Sequence, residues 1–263
     1  MTATKAANLH DELTRAIADR TPAAMITVIA GTPVGAKMLL SDDAVLGSLG
    51  DPALDSTAVD VGRELLRAER SETRTVAHPS DGTMLDLFVD VHMPAPTLLI
   101  FGAVHVAQAL SRFAKQLGFR VVVTDARAPL ATSERFPEAD QIVRAWPDEA
   151  LLEIPIERNT YIAILTHDPK FDEPALLGAL ATDARYIGAV GSRKTNVDRR
   201  ERLIAAGVAP ERIGRIRGPI GLDIGADTPE EMAISILAEI IAVQHGRNGG
   251  ALTTATGKIR GDG

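Results

Sequence analysis

Apolar positions in this chain recur with two periods, and the switches between them mark out the elements. Leu9, Leu13, Ala16 and Ile17 share one helical face over 9–20, and Thr21-Pro22 ends that helix. Ala24–Ala30 is a continuous apolar strand, followed by the turn Gly31-Thr32-Pro33, a strand over Lys37–Leu40, a turn at Asp42-Asp43 and a strand over Val45–Leu49. A helix is expected over Ala53–Ala68, with Val61, Leu65 and Leu66 inward, and strands over Thr73–Ala77 and Met84–Val91. The second of these alternates, with Leu85, Leu87, Val89 and Val91 on one face and Asp86 and Asp90 on the other. Residues 1–93 therefore read as a small α+β domain, and Met93-Pro94-Ala95-Pro96 as a stiff linker.

Beyond the linker the pattern changes. Strands are expected at Thr97–Phe101, Phe119–Val123, Thr160–Leu165 and Tyr186–Val190, largely apolar as in a parallel sheet covered on both faces, with more polar strands at Ala139–Ala145 and Arg212–Ile216. Helical stretches lie between them: Val106 to Leu117, Pro174–Ala181, and Arg193 to about residue 206. A last helix, Pro229–Gln244, opens with Thr228 and Glu231 as a capping box and is apolar almost all round, so it is expected to pack deeply or against another copy of the chain. The fold class expected over 97–245 is α/β with a mostly parallel sheet, and 246–263 is expected to be a flexible tail.

Thr97 to Asp125 carries the most specific pattern. Gly102 stops the strand, Gly118 ends the helix, and Asp125 stands 23 positions after Gly102 at the end of the next strand. That is close to the spacing of roughly 20 in a dinucleotide-binding βαβ unit, so the domain is Rossmann-like. The fingerprint is incomplete, because Val104 stands where a middle glycine would let a pyrophosphate approach the backbone. NAD(P) is therefore disfavoured, though an NAD(P)-dependent oxidoreductase using Asp125 for the ribose and His167 or Asp168 as acid/base stays open.

Composition narrows the classes. The 263 residues include no cysteine, which removes disulfides, thiolate metal sites and cysteine nucleophiles. No apolar run reaches the roughly 18 residues of a membrane helix, and the first twenty residues lack the apolar segment of a secretion signal, so a cytoplasmic protein without membrane association is expected. The net charge of −7 argues against nucleic acid. Residues 193–217 nevertheless hold 8 Lys+Arg against 3 Asp+Glu, a basic patch suited to a small anionic ligand or to a solvated helix face.

Four polar or glycine-rich stretches each follow a strand: Gly102–His105, Asp125–Arg127, Thr166–Asp168 and Gly191–Lys194. Parallel strands would bring all four to one carboxyl edge, where open α/β sheets bind ligands. Arg193 and Lys194 at a helix start oppose the helix dipole unless an anion lies between them. No nucleophile–base pair and no metal-ligand spacing stands out.

Gly102-Ala103-Val104-His105-Val106-Ala107, Leu165-Thr166-His167-Asp168, Tyr186–Arg193 and, above all, Gly218-Pro219-Ile220-Gly221-Leu222-Asp223-Ile224-Gly225-Ala226 with Thr228–Glu231 resemble the XdhC/CoxI family of accessory factors for xanthine and carbon monoxide dehydrogenases. The resemblance covers nearly all of 97–245 and, more loosely, 24–92. It implies a maturation factor that binds molybdenum cofactor, supports its sulfuration and passes it to an apo molybdenum hydroxylase. A homo-oligomer is expected, and a scaffold for a partner enzyme is a further reading. The candidate cofactor-binding set is Gly102, Val104, His105, Asp125, Thr166, His167, Asp168, Gly191, Ser192, Arg193, Lys194, Gly221 and Asp223. The chain departs from the family pattern at Val104, at Ala53 where a cysteine is common, and at Ser80-Asp81-Gly82 near a common Cys-Gly-Gly.

Overall fold

The computed structural model describes residues 2–41 and 44–256. The expected turn at Asp42-Asp43 and the end of the expected tail, 257–263, lie outside the described residues. Two compact units divide the chain, the first running to Pro94 and the second beginning at Ala95.

The first unit contains α1 (Thr2–Ala18), β1 (Ala23–Ala30), β2 (Lys37–Ser41), β3 (Val45–Ser48), α2 (Pro52–Arg67), β4 (Glu72–Ala77) and β5 (Met84–His92). Its five strands form an antiparallel sheet in the order β3-β2-β1-β5-β4. Helix α2 starts where it does because Asp51 accepts from the N–H groups of Ala53 and Leu54, at 2.8 and 3.0 Å, and Pro52 occupies the first turn. It lies close on the sheet: a Cβ at Gly62 would sit 2.7 Å from Ile26 Cδ1. The alternation of β5 holds, with Leu85, Leu87 and Val89 buried and Met84 and Phe88 exposed. Ala53 lies exposed in the first turn of α2.

The second unit contains β6 (Thr97–Phe101), α3 (His105–Gln116), β7 (Arg120–Thr124), β8 (Gln141–Val143), α4 (Pro147–Glu153), β9 (Thr160–Ile164), α5 (Pro169–Leu180), β10 (Tyr186–Ala189), α6 (Arg193–Ala205), α7 (Pro210–Ile213), β11 (Ile216–Arg217) and α8 (Pro229–Gln244). All six strands are parallel, in the order β11-β10-β9-β6-β7-β8. Strand β6 is central: Thr97 pairs with Arg120 on one side and Thr160 on the other. Strand order reverses across the β6/β9 pair, the switch point of a Rossmann sheet.

Successive residues of these strands feed two cores, which is why they are apolar throughout. Leu98, Ile100, Val121 and Val123 pack with Leu110 of α3 and Ile236 and Ile240 of α8. Leu99, Phe101, Ile162 and Ile164 pack on the opposite face with Leu176 of α5 and Leu203 of α6. The apolar girdle of α8 is accordingly not all interior: Ile236, Leu237 and Ile240 are buried, whereas Ile234 is half exposed.

Three boundaries differ from the sequence reading. Helix α5 begins at Pro169, five residues before the expected Pro174, because Asp168 caps it and its first turn buries Phe171 and Asp172. The Asp168 cap and the burial of Phe171 outweigh the backbone bond lost at Pro174. Helix α4 lies outside the expected elements, although Pro147 at its start and Asp148 and Glu149 in its first turn are ordinary start signals. The expected strand Arg212–Ile216 is the short helix α7 followed by the two-residue β11. Arg212 and Arg215 bend this segment back onto the end of α5, donating to the carbonyls of Leu180, Thr182 and Ala184. Residues 246–256 are irregular apart from one 3₁₀ turn at Leu252–Thr254. No described helix is long and apolar enough to cross a membrane.

Candidate functional site

Because every strand of the second sheet runs the same way, the loops after β6, β7, β9, β10 and β11 meet at one carboxyl edge. The turn after β6 depends on Gly102. Its φ is +102°, a region L side chains rarely enter, and a Cβ there would sit 2.6 Å from Thr166 Cγ2. The next residues climb into α3. Val104 precedes the helix with φ −85°, ordinary for any residue, and packs half-buried on the core. His105 opens α3 and is exposed, and the N-cap residue, Val104, offers no side-chain hydrogen bond to the first N–H groups of this helix.

Asp125 is buried and ties two of these loops together. One carboxylate oxygen accepts from the Ala103 N–H at 2.8 Å and from Arg127 Nη2 at 2.8 Å, and the other from Arg127 N and Nε at 2.9 Å. Burial pushes the carboxyl up, but the hydrogen bonds from Arg127 and Ala103 outweigh it and hold it below its ordinary 3.8. The stability it contributes is complete above that ordinary value and is lost as pH falls through the lower folded value. Asp125→Asn is therefore expected to flatten the acid limb of the stability curve below about pH 4, measured by urea unfolding at stepped pH.

Arg127, held in this way, lies 5.6 Å from the Phe171 ring centroid, and Trp146 stacks on the same ring. Of the next stretch, Thr166 is buried and donates its hydroxyl to Asp172. His167 is exposed. Asp168 caps α5 through the Lys170 N–H at 3.1 Å and faces the Lys170 ammonium at 3.4 Å.

Beneath the edge lies a buried ion pair that the sequence pattern does not reveal. Arg199 of α6 donates to Asp172 at 3.0 Å, to the Val190 carbonyl at 2.9 Å and to Asn196 Oδ1 at 2.5 Å. Asn196 in turn donates to the carbonyls of Gly191 and Ser192 and closely approaches Gly218, where a Cβ would meet its Oδ1. One buried arginine thus ties together the loops after β9, β10 and β11. Burial raises the Asp172 carboxyl above 3.8 despite the bonds from Thr166 and Arg199. The available signal was an arginine four residues before the buried Leu203, on the inward face of α6.

Above this pair, Ser192 caps α6 through the Thr195 N–H at 3.0 Å, and Gly191 has φ +131°. Arg193 and Lys194 are exposed in the first turn, and among the described residues neither has an ion-pair partner. The glycine-rich loop after β11 is anchored through three consecutive backbone N–H groups. Ile220 N donates to the Ala189 carbonyl at 3.1 Å, Gly221 N to Glu239 at 2.9 Å, and Leu222 N to the Ser235 carbonyl at 3.2 Å. Glu239 also accepts the buried Tyr186 hydroxyl, whose ionisation burial and this carboxylate oppose. Asp223 is exposed in the same loop.

The structure therefore gathers Gly102, Asp125 and Thr166 at the switch point, with Val104 and His105 at the start of α3. Ser192, Arg193 and Lys194 open α6 beyond them, and Gly221 and Asp223 lie in the loop that follows. No cluster of three or more His, Cys, Asp or Glu able to hold a metal occurs among the described residues.

Comparisons with known proteins agree with this architecture. Residues 98–240 match the XdhC Rossmann domain, and residues 16–77 match the XdhC and CoxI family. The chain is 29% identical to an uncharacterized protein, YqeB, of Escherichia coli (strain K12), over 93% of this chain and 48% of that protein. It is 35% identical to a probable xanthine dehydrogenase subunit of Bacillus subtilis (strain 168), over 59% of this chain and 45% of that one. It is 26% identical to the molybdenum cofactor insertion chaperone PaoD of Escherichia coli (strain K12), over 57% and 41%. The chain spans less than half the length of these relatives. A crystal structure described as a xanthine dehydrogenase from Bacillus halodurans shares the fold, with a TM-score of 0.54 at 22% identity over 93% of this chain and 97% of that one.

Proposed function

Because the chain belongs to the XdhC and CoxI family, we propose that it is an accessory protein that binds molybdenum cofactor and assists its insertion into a molybdenum hydroxylase of the xanthine or carbon monoxide dehydrogenase type. The kinship with a protein named as a molybdenum cofactor insertion chaperone supports the reading. The observation that carries it is the pair Arg193 and Lys194: two exposed cations without acidic partners among the described residues, at the positive end of α6 and on the carboxyl edge of the sheet.

The donor set fits the anionic, hydrogen-bonding periphery of a pterin phosphate. Arg193 and Lys194 would take the phosphate, and the open N–H groups of α3 with His105 and His167 along the edge would bond the rest. When bound, the cofactor supplies the metal and its dithiolene sulfurs, chemistry for which this chain has no residue of its own. No cysteine is present to carry a persulfide, so the role proposed is holding and transfer. Gly102, Asp125 and Thr166 act by fixing the turn that sets the start of α3.

Arg193 is the stronger partner, since its planar fork binds phosphate in bidentate fashion whereas Lys194 offers a point charge. Arg193→Ala is expected to weaken molybdopterin binding about tenfold or more, the effect of losing a charge-assisted contact. Its melting temperature should stay at the parent value, because the side chain is exposed. Calorimetric titration of the parent, Arg193→Ala and Lys194→Ala measures this, and equal affinity in all three overturns the assignment of the anion to α6.

A further inference from the structure

Helix α8 is apolar on two sides. Ala233, Ile236, Leu237 and Ile240 fill the core that it shares with α3 and the sheet. The outer side keeps Ile234, 51% exposed, and Ile241, 36% exposed, with the half-buried Ala238 between them. At about 100° per residue these three form one stripe, and the exposed Glu231 and His245 continue it at either end. A surface helix ordinarily turns charged and polar residues to water on this side.

The stripe reads the same from either end. Glu231 stands seven positions before Ala238 and His245 seven after, while Ile234 and Ile241 stand four before and three after. Two copies of α8 laid antiparallel across a two-fold axis at Ala238 therefore set each Ile234 against the other copy's Ile241. The same operation sets each Glu231 against the other copy's His245 imidazole. Ala238 at the crossing lets the axes approach to the roughly 8 Å of a closely packed pair. Charge selects the direction. Glu230 and Glu231 occupy one end of the helix, and His245 and Arg247 lie at the other. Parallel copies would bring acid to acid, whereas antiparallel copies bring acid to base and oppose the helix dipoles.

We propose that the outer stripe of α8 is a two-fold contact with a second copy of this chain, the two helices antiparallel and Ala238 on the axis. A contact of this kind uses one patch twice and closes on itself, so it yields a dimer and not a fibre. One helix face is smaller than the roughly 800 Å² per partner of a standard interface, so the dimer is a reversible one. The stripe shares no residue with the cofactor site proposed above, and each reading can fail without the other.

The full chain is sedimented to equilibrium from micromolar to near-millimolar concentration, and a concentration-dependent dimer is expected. Ile234→Glu and Ile241→Lys should each weaken it about tenfold or more, because each sets a charge against an isoleucine. Their melting temperatures should stay close to the parent's, since both positions are exposed. Mixing the two variants should restore the dimer: in the mixed pair carboxylate meets ammonium once and isoleucine meets isoleucine once. Parallel helices would set each position against itself and give no such rescue. The chain has no cysteine, so Ala238→Cys carries a single thiol at the axis and should oxidise to a disulfide-linked dimer. Glu201→Cys, exposed on α6 across the sheet, should stay monomeric under the same oxidation. The proposal is overturned if the parent stays monomeric at every concentration, which would leave the face to a partner of another kind. A dimer that neither single variant weakens overturns it equally, as does a mixture that fails to re-form the dimer or equal crosslinking of the two thiol variants.

Discussion

Asp172→Ala is expected to lower the stability of the second unit by about 3–5 kcal/mol, the cost of leaving a buried charge without its partner. The stranded group is Arg199, whose side chain is 3% exposed and whose other bonds go to the neutral Val190 carbonyl and Asn196. The Thr166 hydroxyl loses its acceptor at the same time. The double variant Asp172→Leu with Arg199→Met, which removes both charges, should recover much of the loss, since apolar replacement of a whole buried pair is often neutral. Chemical unfolding of the two singles and the double measures the cycle, and additive losses would show that the pair is not coupled. The pair is therefore better read as a clamp on loop geometry than as a source of stability. The pH dependence has the opposite sign to that of Asp125. With its folded value raised above 3.8, Asp172 contributes most below that value, and the contribution falls as pH rises through the folded value.

Gly102→Ala is expected to cost about 2–4 kcal/mol, combining a strained positive φ with a steric clash. The backbone angle of +102° disfavours any L side chain, and the new Cβ would meet the Thr166 methyl at 2.6 Å across the switch point. Thr166→Ser removes that methyl and keeps the hydroxyl that bonds Asp172, so adding it to Gly102→Ala should return most of the steric part, the contact with the Thr166 backbone N at 3.2 Å remaining, and leave the conformational part. Thermal unfolding of the three variants separates the two. No recovery in the double variant would place the cost in the backbone angle and the backbone contact at Thr166, not in the methyl. The functional consequence runs through α3, because the turn that Gly102 allows is the one that Asp125 fixes at Ala103.

The order of elements and the character of the second sheet are legible in the amino acids alone. Strands such as Leu98–Phe101 and Tyr161–Ile164, apolar at every position, could be satisfied only by burial on both faces, and that requires parallel pairing with helices above and below. Parallel pairing then brings Gly102, Asp125, Thr166 and Gly191 to one edge without further information. Local chemistry is equally legible where donor and acceptor are near in the chain, as in the Thr228–Glu231 capping box. Which distant polar groups meet is settled only by the folded arrangement. Asp172 and Arg199 are 27 positions apart and Tyr186 and Glu239 are 53 apart, and nothing in helical or strand periodicity names such partners. Periodicity reports which face of an element is buried, not what lies opposite it. The same reason hides the stacking of Trp146 on Phe171, which comes from the start of α5, a turn that the sequence pattern places outside the helix because Pro174 looks like its beginning. Proline sets a local preference of a few kcal/mol, and the Asp168 cap with burial of Phe171 overrides it.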